Sequence, residues 1–418
     1  MKKITFAVMG MGNRGMAYAN KQLKYPDEMQ VTAICDPRPI RLEAANKFLN
    51  LPEDRIFTDV QDLLAQPKLA DIMVVATPDN CHRDHAIAAM EKGYDLLLEK
   101  PIANHPEEVA EIAAAAKKLG RTVIVCHVLR YTVFYQEVKR IIDSGILGKV
   151  ENIIASEQVG YYHFAHSFVR GNWHKMSTSS PSILAKCSHD MDLMLWLTGK
   201  RCKKVSSFGS LDHFTAANCP EGAPARCMDG CPVAETCPFN APRFYFGRCP
   251  GWPTHILHPE PTVENLTEVL KTSDYGRCVY QMDNDVADHQ VVNLLLEDGV
   301  TVNFTMSAFN DVQDRRIFVQ GSHGEIQGDF RTNKLTVSIY DKESYEVDVS
   351  KMCDDFSGHG GGDARLIYDV IRYYRGDEFD SSAVTFIDRS AESHFVAFAA
   401  EESRVAEGMP IDPKKFMQ

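Results

Sequence analysis

At 418 residues the chain is long enough for two or three domains with full hydrophobic cores, so size demands no disulfide staples. Its 44% hydrophobic and 24% charged residues are ordinary globular proportions, which exclude a disordered, collagen-like or coiled-coil chain. A net charge of −12 opposes a polyanion, and no apolar run approaches the roughly 20 residues of a bilayer span, so neither nucleic acid nor a membrane is an expected partner.

In chain order, short apolar runs at Ile4–Met9, 31–35, 72–76, 96–98 and 123–126 read as strands, each pair separated by enough chain for a helix. The clearest helix is predicted over Pro106–Leu119, with Pro at its first turn, Glu107 and Glu108 beside it, Lys117 and Lys118 at its end and Gly120 beyond. Continuous apolar strands alternating with helices predict an α/β domain, a doubly wound parallel sheet of Rossmann type, over residues 1–127.

From there to the C-terminus, residues 128–418, the pattern changes. Strand-like segments at 150–157, 203–210, 291–297, 301–308, 316–320 and 335–340, with turn signals at Asp298-Gly299 and 321–324, predict an α+β domain built on a large, mostly antiparallel sheet. A helix is expected over 190–197. Two more, over 364–374 and 391–406, are free to pack back on either domain.

The first strand runs into Gly10-Met11-Gly12-Asn13-Arg14-Gly15, and the second ends at Asp36, roughly 20 residues beyond. Strand, G-x-G-x-x-G, helix, strand and acid, in that order, make a dinucleotide site: the glycines let the backbone approach a pyrophosphate and the acid reaches a ribose diol. Asp36 favours NAD, because a carboxylate repels a ribose phosphate; Arg38 leaves NADP as the alternative. The next loops at the carboxyl ends of strands, Thr77-Pro78-Asp79-Asn80-Cys81-His82 and Glu99-Lys100-Pro101, line the same crevice.

Through these segments and the stretch from His189 to Asp192, the chain resembles the Gfo/Idh/MocA oxidoreductases over nearly its whole length. The resemblance implies that Lys100 lies beside nicotinamide and substrate and helps move the proton of the reacting hydroxyl; desolvation would draw its pKa toward the working pH. A solvated surface lysine is the alternative. The family's second motif, Asp-x-Gly-x-His-x-x-Asp, appears here with Ala185 and Cys187 in place of its first Asp and its Gly, while His189 and Asp192 are retained. His189 is the expected general acid/base, on the strength of an ordinary pKa of about 6.5. Asp192 either orients His189 or favours the helix start, and Lys186 and Asp190 are candidates to compensate the missing acid at the substrate.

Further substrate contacts are expected from Arg130 and Tyr131, after the last Rossmann strand, and from Asn172, Trp173 and His174, donors around an aromatic plate that suits a polyhydroxylated ring. The segment from His359 to Asp363 reads as a polar loop near the pocket or as a turn capped by Asp363. Cys227, Cys231 and Cys237, with Cys219 or Cys249 as a fourth, are spaced to hold a structural zinc; disulfides or free thiols are the alternatives. The scattered remaining cysteines suit a reducing cytoplasm.

The expected function is an NAD-dependent dehydrogenase of a secondary alcohol in a sugar, glycoside or cyclitol, from a homo-oligomeric protein. Two rivals stand beside it: a redox-neutral glycosidase or lyase that uses NAD transiently, and an NAD-sensing binding protein without turnover.

Overall fold

A computed structural model describes residues 3–417. Strands β1 (Ile4–Met9), β2 (Met29–Cys35), β3 (Ile56–Phe57), β4 (Ile72–Val75), β5 (Asp95–Leu98) and β6 (Val123–Val125) form one parallel sheet in the order β3-β2-β1-β4-β5-β6. Neighbouring residues along each strand serve opposite faces: Phe6, Val8, Ile72 and Val74 enter one core, Ala7, Met9, Met73 and Val75 the other. Burial on both faces is why the strands read as unbroken apolar runs. Only β3 escaped the pattern, being two residues long. Strand order reverses between β1 and β4, which opens a crevice at their carboxyl ends.

The second sheet holds β7 (Val150–Gly160), β8 (Cys202–Ser210), β9 (His289–Leu296), β10 (Thr301–Asn310), β11 (Asp314–Gly321), β12 (Gly324–Asp329), β13 (Lys334–Ile339) and β14 (Tyr345–Asp348), in the order β14-β13-β12-β11-β7-β10-β9-β8. It is antiparallel except for the central β7–β10 pair. One face is packed and the other open, so inward Val292, Leu294 and Leu296 alternate with exposed Val291 and Leu295. Ile154 and Phe208 are exposed as well.

The helix Ser182–Thr198 begins eight residues before the expected 190–197. It is buried on nearly every side, so its first half carries Lys, Cys, Ser and His without the amphipathic stripe that would announce a helix. The helix Gly362–Arg375 packs Leu366, Ile367, Val370 and Ile371 into the same Rossmann core as Phe6 and Val8. The helix Ile387–Val405 joins the other core through Phe395, Val396 and Ala399, and the chain just before it bridges β6 from Phe386 to Ile124.

Between β8 and β9 an insertion of short helices, Ala241–Phe246, Thr254–Leu257 and Val263–Thr272, reaches back over the Rossmann domain. His255 Nε2 lies 3.2 Å from Asn13 Oδ1, and Lys47 Nζ donates to Glu260 at 2.9 Å. Among the described residues no helix is long and apolar enough to cross a membrane.

Candidate active site

The glycine turn is imposed by close approach. Gly10 has φ +89°, and a Cβ there would stand 2.3 Å from the Ala76 carbonyl oxygen; one at Gly15 would stand 1.9 Å from that of Gly10. Asp36, buried at the end of β2, braces the turn: Oδ2 accepts the Met11 N–H and Oδ1 the Arg38 N–H, both at 2.9 Å. Arg41 and Arg38 stand 3.5 and 3.6 Å from the same carboxylate. The helix Asn13–Ala19 starts from Gly12 with no side-chain cap and no acid in its first turn, and a Cβ at Gly12 would meet only the Arg41 guanidinium. Open N–H groups and a bare backbone are what a dinucleotide diphosphate requires, so these residues fit the cofactor.

Glu99 and Lys100 follow β5. Glu99 Oε1 accepts from Arg14 Nε at 2.7 Å and Tyr18 O–H at 2.6 Å, while Oε2 accepts the Lys100 N–H at 2.9 Å. Burial alone would raise this carboxyl, but Arg14 and these bonds hold it below the usual carboxylate range. Arg14 also grips Asp363 through two bonds of 3.0 and 2.9 Å, which ties the glycine turn to the C-terminal helix. The contiguous motif thus anchors Lys100 from behind. Burial, reinforced by the charge of Lys186 and only partly opposed by Glu99, lowers the Lys100 pKa to about 8.

In front, Lys100 Nζ donates to the Ala185 carbonyl at 2.6 Å. Ala185 lies one helical turn before His189, so the lysine is fastened to the helix face that carries the histidine. His189 is buried, its Nδ1 has no hydrogen-bond partner, and its ring faces His127 at 5.6 Å and His359 at 6.1 Å. Burial and then Lys100 push its pKa well below that of a free imidazole. The histidine is therefore neutral at pH 7, contrary to the expectation of a group titrating near neutrality. Lys100, by contrast, has its pKa drawn down to about 8.

Profiles of the Gfo/Idh/MocA family match residues 4–127 as an oxidoreductase family, NAD-binding Rossmann fold, and residues 135–226 as its C-terminal domain. The chain belongs to the Gfo/Idh/MocA oxidoreductases. It is similar to YteT of Bacillus subtilis, named as an oxidoreductase, at 22% identity over 89% of each chain. It is also similar to the scyllo-inositol 2-dehydrogenase (NAD(+)) of the same organism, at 27% identity over 50% of this chain and 58% of that one. Among solved structures, the WlbA dehydrogenase of Bordetella pertussis, in complex with NADH and UDP-GlcNAcA, shares the fold with TM-score 0.71 and 18% identity over 98% of both chains.

At Ala185, where the sequence departs from the motif, the lysine is met by the backbone carbonyl, and no side-chain acid stands at that position. Asp192, the retained acid, accepts two bonds of 2.6 Å from Arg130 and lies 3.9 Å from His127 Nε2. It sits in the interior of its helix, so the helix-start reading falls away. Arg130 and Tyr131 are directed elsewhere than expected. The Arg130 guanidinium is committed to Asp192, and the buried Tyr131 hydroxyl is 3.1 Å from Thr385 Oγ1.

Of the loop 77–82, His82 ties Thr77 to Pro101 through ring contacts of 3.0 and 2.8 Å to their carbonyl oxygens. Asp79, after Pro78, accepts the Trp173 indole N–H at 2.7 Å. Trp173 thereby joins the domains, while Asn172 is exposed and His174 Nε2 stands 3.6 Å from Asp283. Asp190 is bound by Arg315 at 2.7 and 3.2 Å, and Arg315 also meets Glu157. Glu157 and Arg315 went unnoticed in the sequence because each lies among other polar residues of its strand, Ser156 and Gln158 in one case and Asp314 and Arg316 in the other, and nothing local marks it out. His127, His163 and His359 lay in polar segments without individual roles; the Asp363 link to Arg14 carried no local signal.

The zinc expectation is not supported. Among the described residues no three or more His, Cys, Asp or Glu groups are placed to hold a metal ion, and all twelve cysteines are free thiols. Cys227, Cys231, Cys237 and Cys278, with Arg170, line a void of only about 10 Å³. Arg170 Nη2 donates to Cys227 Sγ at 3.6 Å and to the Phe239 carbonyl at 2.7 Å, so a guanidinium lies beside this cysteine.

Proposed function

We propose that this chain is an NAD-dependent dehydrogenase that oxidises a secondary alcohol of a sugar, glycoside or cyclitol, with Lys100 as the proton acceptor. One observation carries the reading: a lysine of pKa about 8, held by Glu99 behind and by the Ala185 carbonyl in front, beside a neutral His189. NAD, when bound, supplies the acceptor for the carbon-bound hydrogen. Asp36 favours it over NADP. The glycine turn and the start of the Asn13–Ala19 helix hold the diphosphate, with Thr77, Pro78 and Asp79 on the loop beyond β4.

Lys100 in its neutral form takes the hydroxyl proton on Nζ, and His189, uncharged, orients that hydroxyl by a hydrogen bond. Dehydrogenation accordingly needs the deprotonated lysine. The named activities of the similar inositol and WlbA dehydrogenases support an alcohol of this class. Exposed Ile154, Val291 and Leu295 on the open sheet face support self-association, and twelve free thiols suit a reducing cytoplasm.

The test is Lys100→Ala assayed with NAD and a panel of polyols, sugars and glycosides. Turnover should fall by about 10²- to 10⁴-fold while NAD affinity stays within about twofold. Undiminished turnover overturns the role. Sugar cleavage without accumulating NADH, in the unmutated protein, would favour a redox-neutral cycle instead.

A further inference from the structure

The insertion between β8 and β9 has a core of its own, in which Ala241, Phe244, Tyr245 and Leu270 pack with Leu257 and Tyr275. From it the segment 252–260 runs from one wall of the cleft to the other. At its start the Trp252 ring lies against His163 and His166, which follow β7, with centroids 4.9 and 5.6 Å apart. Three residues on, His255 Nε2 stands 3.2 Å from Asn13 Oδ1 in the glycine turn. At its end Glu260 accepts from Lys47 Nζ at 2.9 Å, on the helix Pro39–Leu49 that follows Asp36. The segment therefore passes from the substrate domain, over the turn after β1, to the helix after β2.

Its course is fixed by its own bonds. Thr254 Oγ1 donates to the Gly251 carbonyl at 2.7 Å, and Asn265 Nδ2 to that of Glu260 at 2.8 Å. His255 itself is exposed, as is Asn13. An amide oxygen can only accept, so the imidazole carries its proton on Nε2 and directs that N–H at the turn. The motif's own cation is spent elsewhere, because Arg14 is paired with Glu99 and Asp363. A donor from outside the Rossmann fold thus stands where a diphosphate approaches the bare backbone of Gly12. A phosphate oxygen accepts a stronger bond from it than the neutral amide of Asn13 does.

We infer that His255 is a cofactor-binding residue that donates from Nε2 to the diphosphate of NAD, and that the segment 252–260 is a strap that slows release of the cofactor. The dinucleotide is then held by both domains. The inference rests on NAD binding at the glycine turn, which it shares with the dehydrogenase reading above; the alcohol oxidised and the role of Lys100 do not enter it.

Binding measurements on the full chain test it: affinities for NADH, ADP-ribose and adenosine by titration, and NADH release by stopped-flow displacement. His255→Ala should weaken NADH and ADP-ribose alike by about 3- to 30-fold, chiefly through faster release, and leave adenosine, which lacks the diphosphate, within about twofold. His255→Gln, which keeps a donor, should recover much of the loss. Glu260→Lys, set against Lys47, should speed NADH release by about two- to threefold. No turnover is read, so a chain that shows these losses yet oxidises no alcohol sinks the dehydrogenase reading and leaves this one standing. Unchanged NADH affinity in His255→Ala, or an equal loss on adenosine, overturns the contact, and unchanged release in Glu260→Lys overturns the strap.

Discussion

The two walls of the cleft are built on different principles. On the Rossmann side the turn itself is fixed by backbone, with Asp36 bonding to Arg38, Glu99 to the next residue's N–H, and the glycines meeting backbone that leaves no room for a Cβ. The long-range ties there, to Glu99 across 85 residues and to Asp363 across 349, run through the single cation Arg14. On the opposite side the groups are fixed by charge pairs between distant segments, Asp190 with Arg315 across 125 residues and Arg130 with Asp192 across 62. The cofactor wall is therefore a matter of backbone shape, and the substrate wall a matter of buried electrostatics. Shape is written locally in a sequence; a charge pair closed by the fold is not.

The sharpest way to break this contrast is to unpair the substrate wall. Arg315→Met leaves Asp190 and Glu157 buried without their main cation and should cost about 3–5 kcal/mol in stability, read by denaturant unfolding. A loss under 1 kcal/mol would mean that the network is dispensable. The matching change on the cofactor wall, Gly15→Ala, drives a Cβ into the Gly10 carbonyl and should cost about 1–3 kcal/mol, with saturable NAD binding lost. Retained NAD binding would show that the turn yields more easily than its geometry implies.

Asp36→Ala removes a charged acceptor that also braces the turn, so NAD affinity should fall by about 10-fold or more and NADP affinity by less, as measured by fluorescence titration. The smallest effect links the two walls. Lys186→Met removes a cation that depresses Lys100, so the Lys100 pKa should rise from about 8 and the rising limb of dehydrogenation should move to higher pH by less than about one unit. A downward move would contradict the sign.

The same contrast explains what the sequence disclosed. The Rossmann strands and the helix Pro106–Leu119 are legible because Pro106 opens that helix and Gly120, at φ +61°, closes it, while strands buried on both faces need no partner to look apolar. The first half of the helix Ser182–Thr198 is illegible because burial all round removes the stripe. Strand β14, Tyr345–Asp348, carries a mixed, largely exposed pattern that local propensity does not mark. Lys100 was found through its motif and its strand end. The state of His189 was misjudged because its pKa is set by burial and by Lys100, and neither is visible along the chain. The cysteines at 227, 231 and 237 are spaced like ligands, but the contact that Arg170, distant in sequence, makes with Cys227 is not visible along the chain.

The proton's route is tested most directly by the pH dependence of kcat/KM for dehydrogenation. With Lys100 at about 8 and His189 neutral, activity should rise with pH through a single limb near 8, and the reverse reduction should fall through the same value. In His189→Asn the rate should drop while the limb stays in place. A limb near 6.5 that vanishes in His189→Asn would contradict the account and return the proton to the histidine.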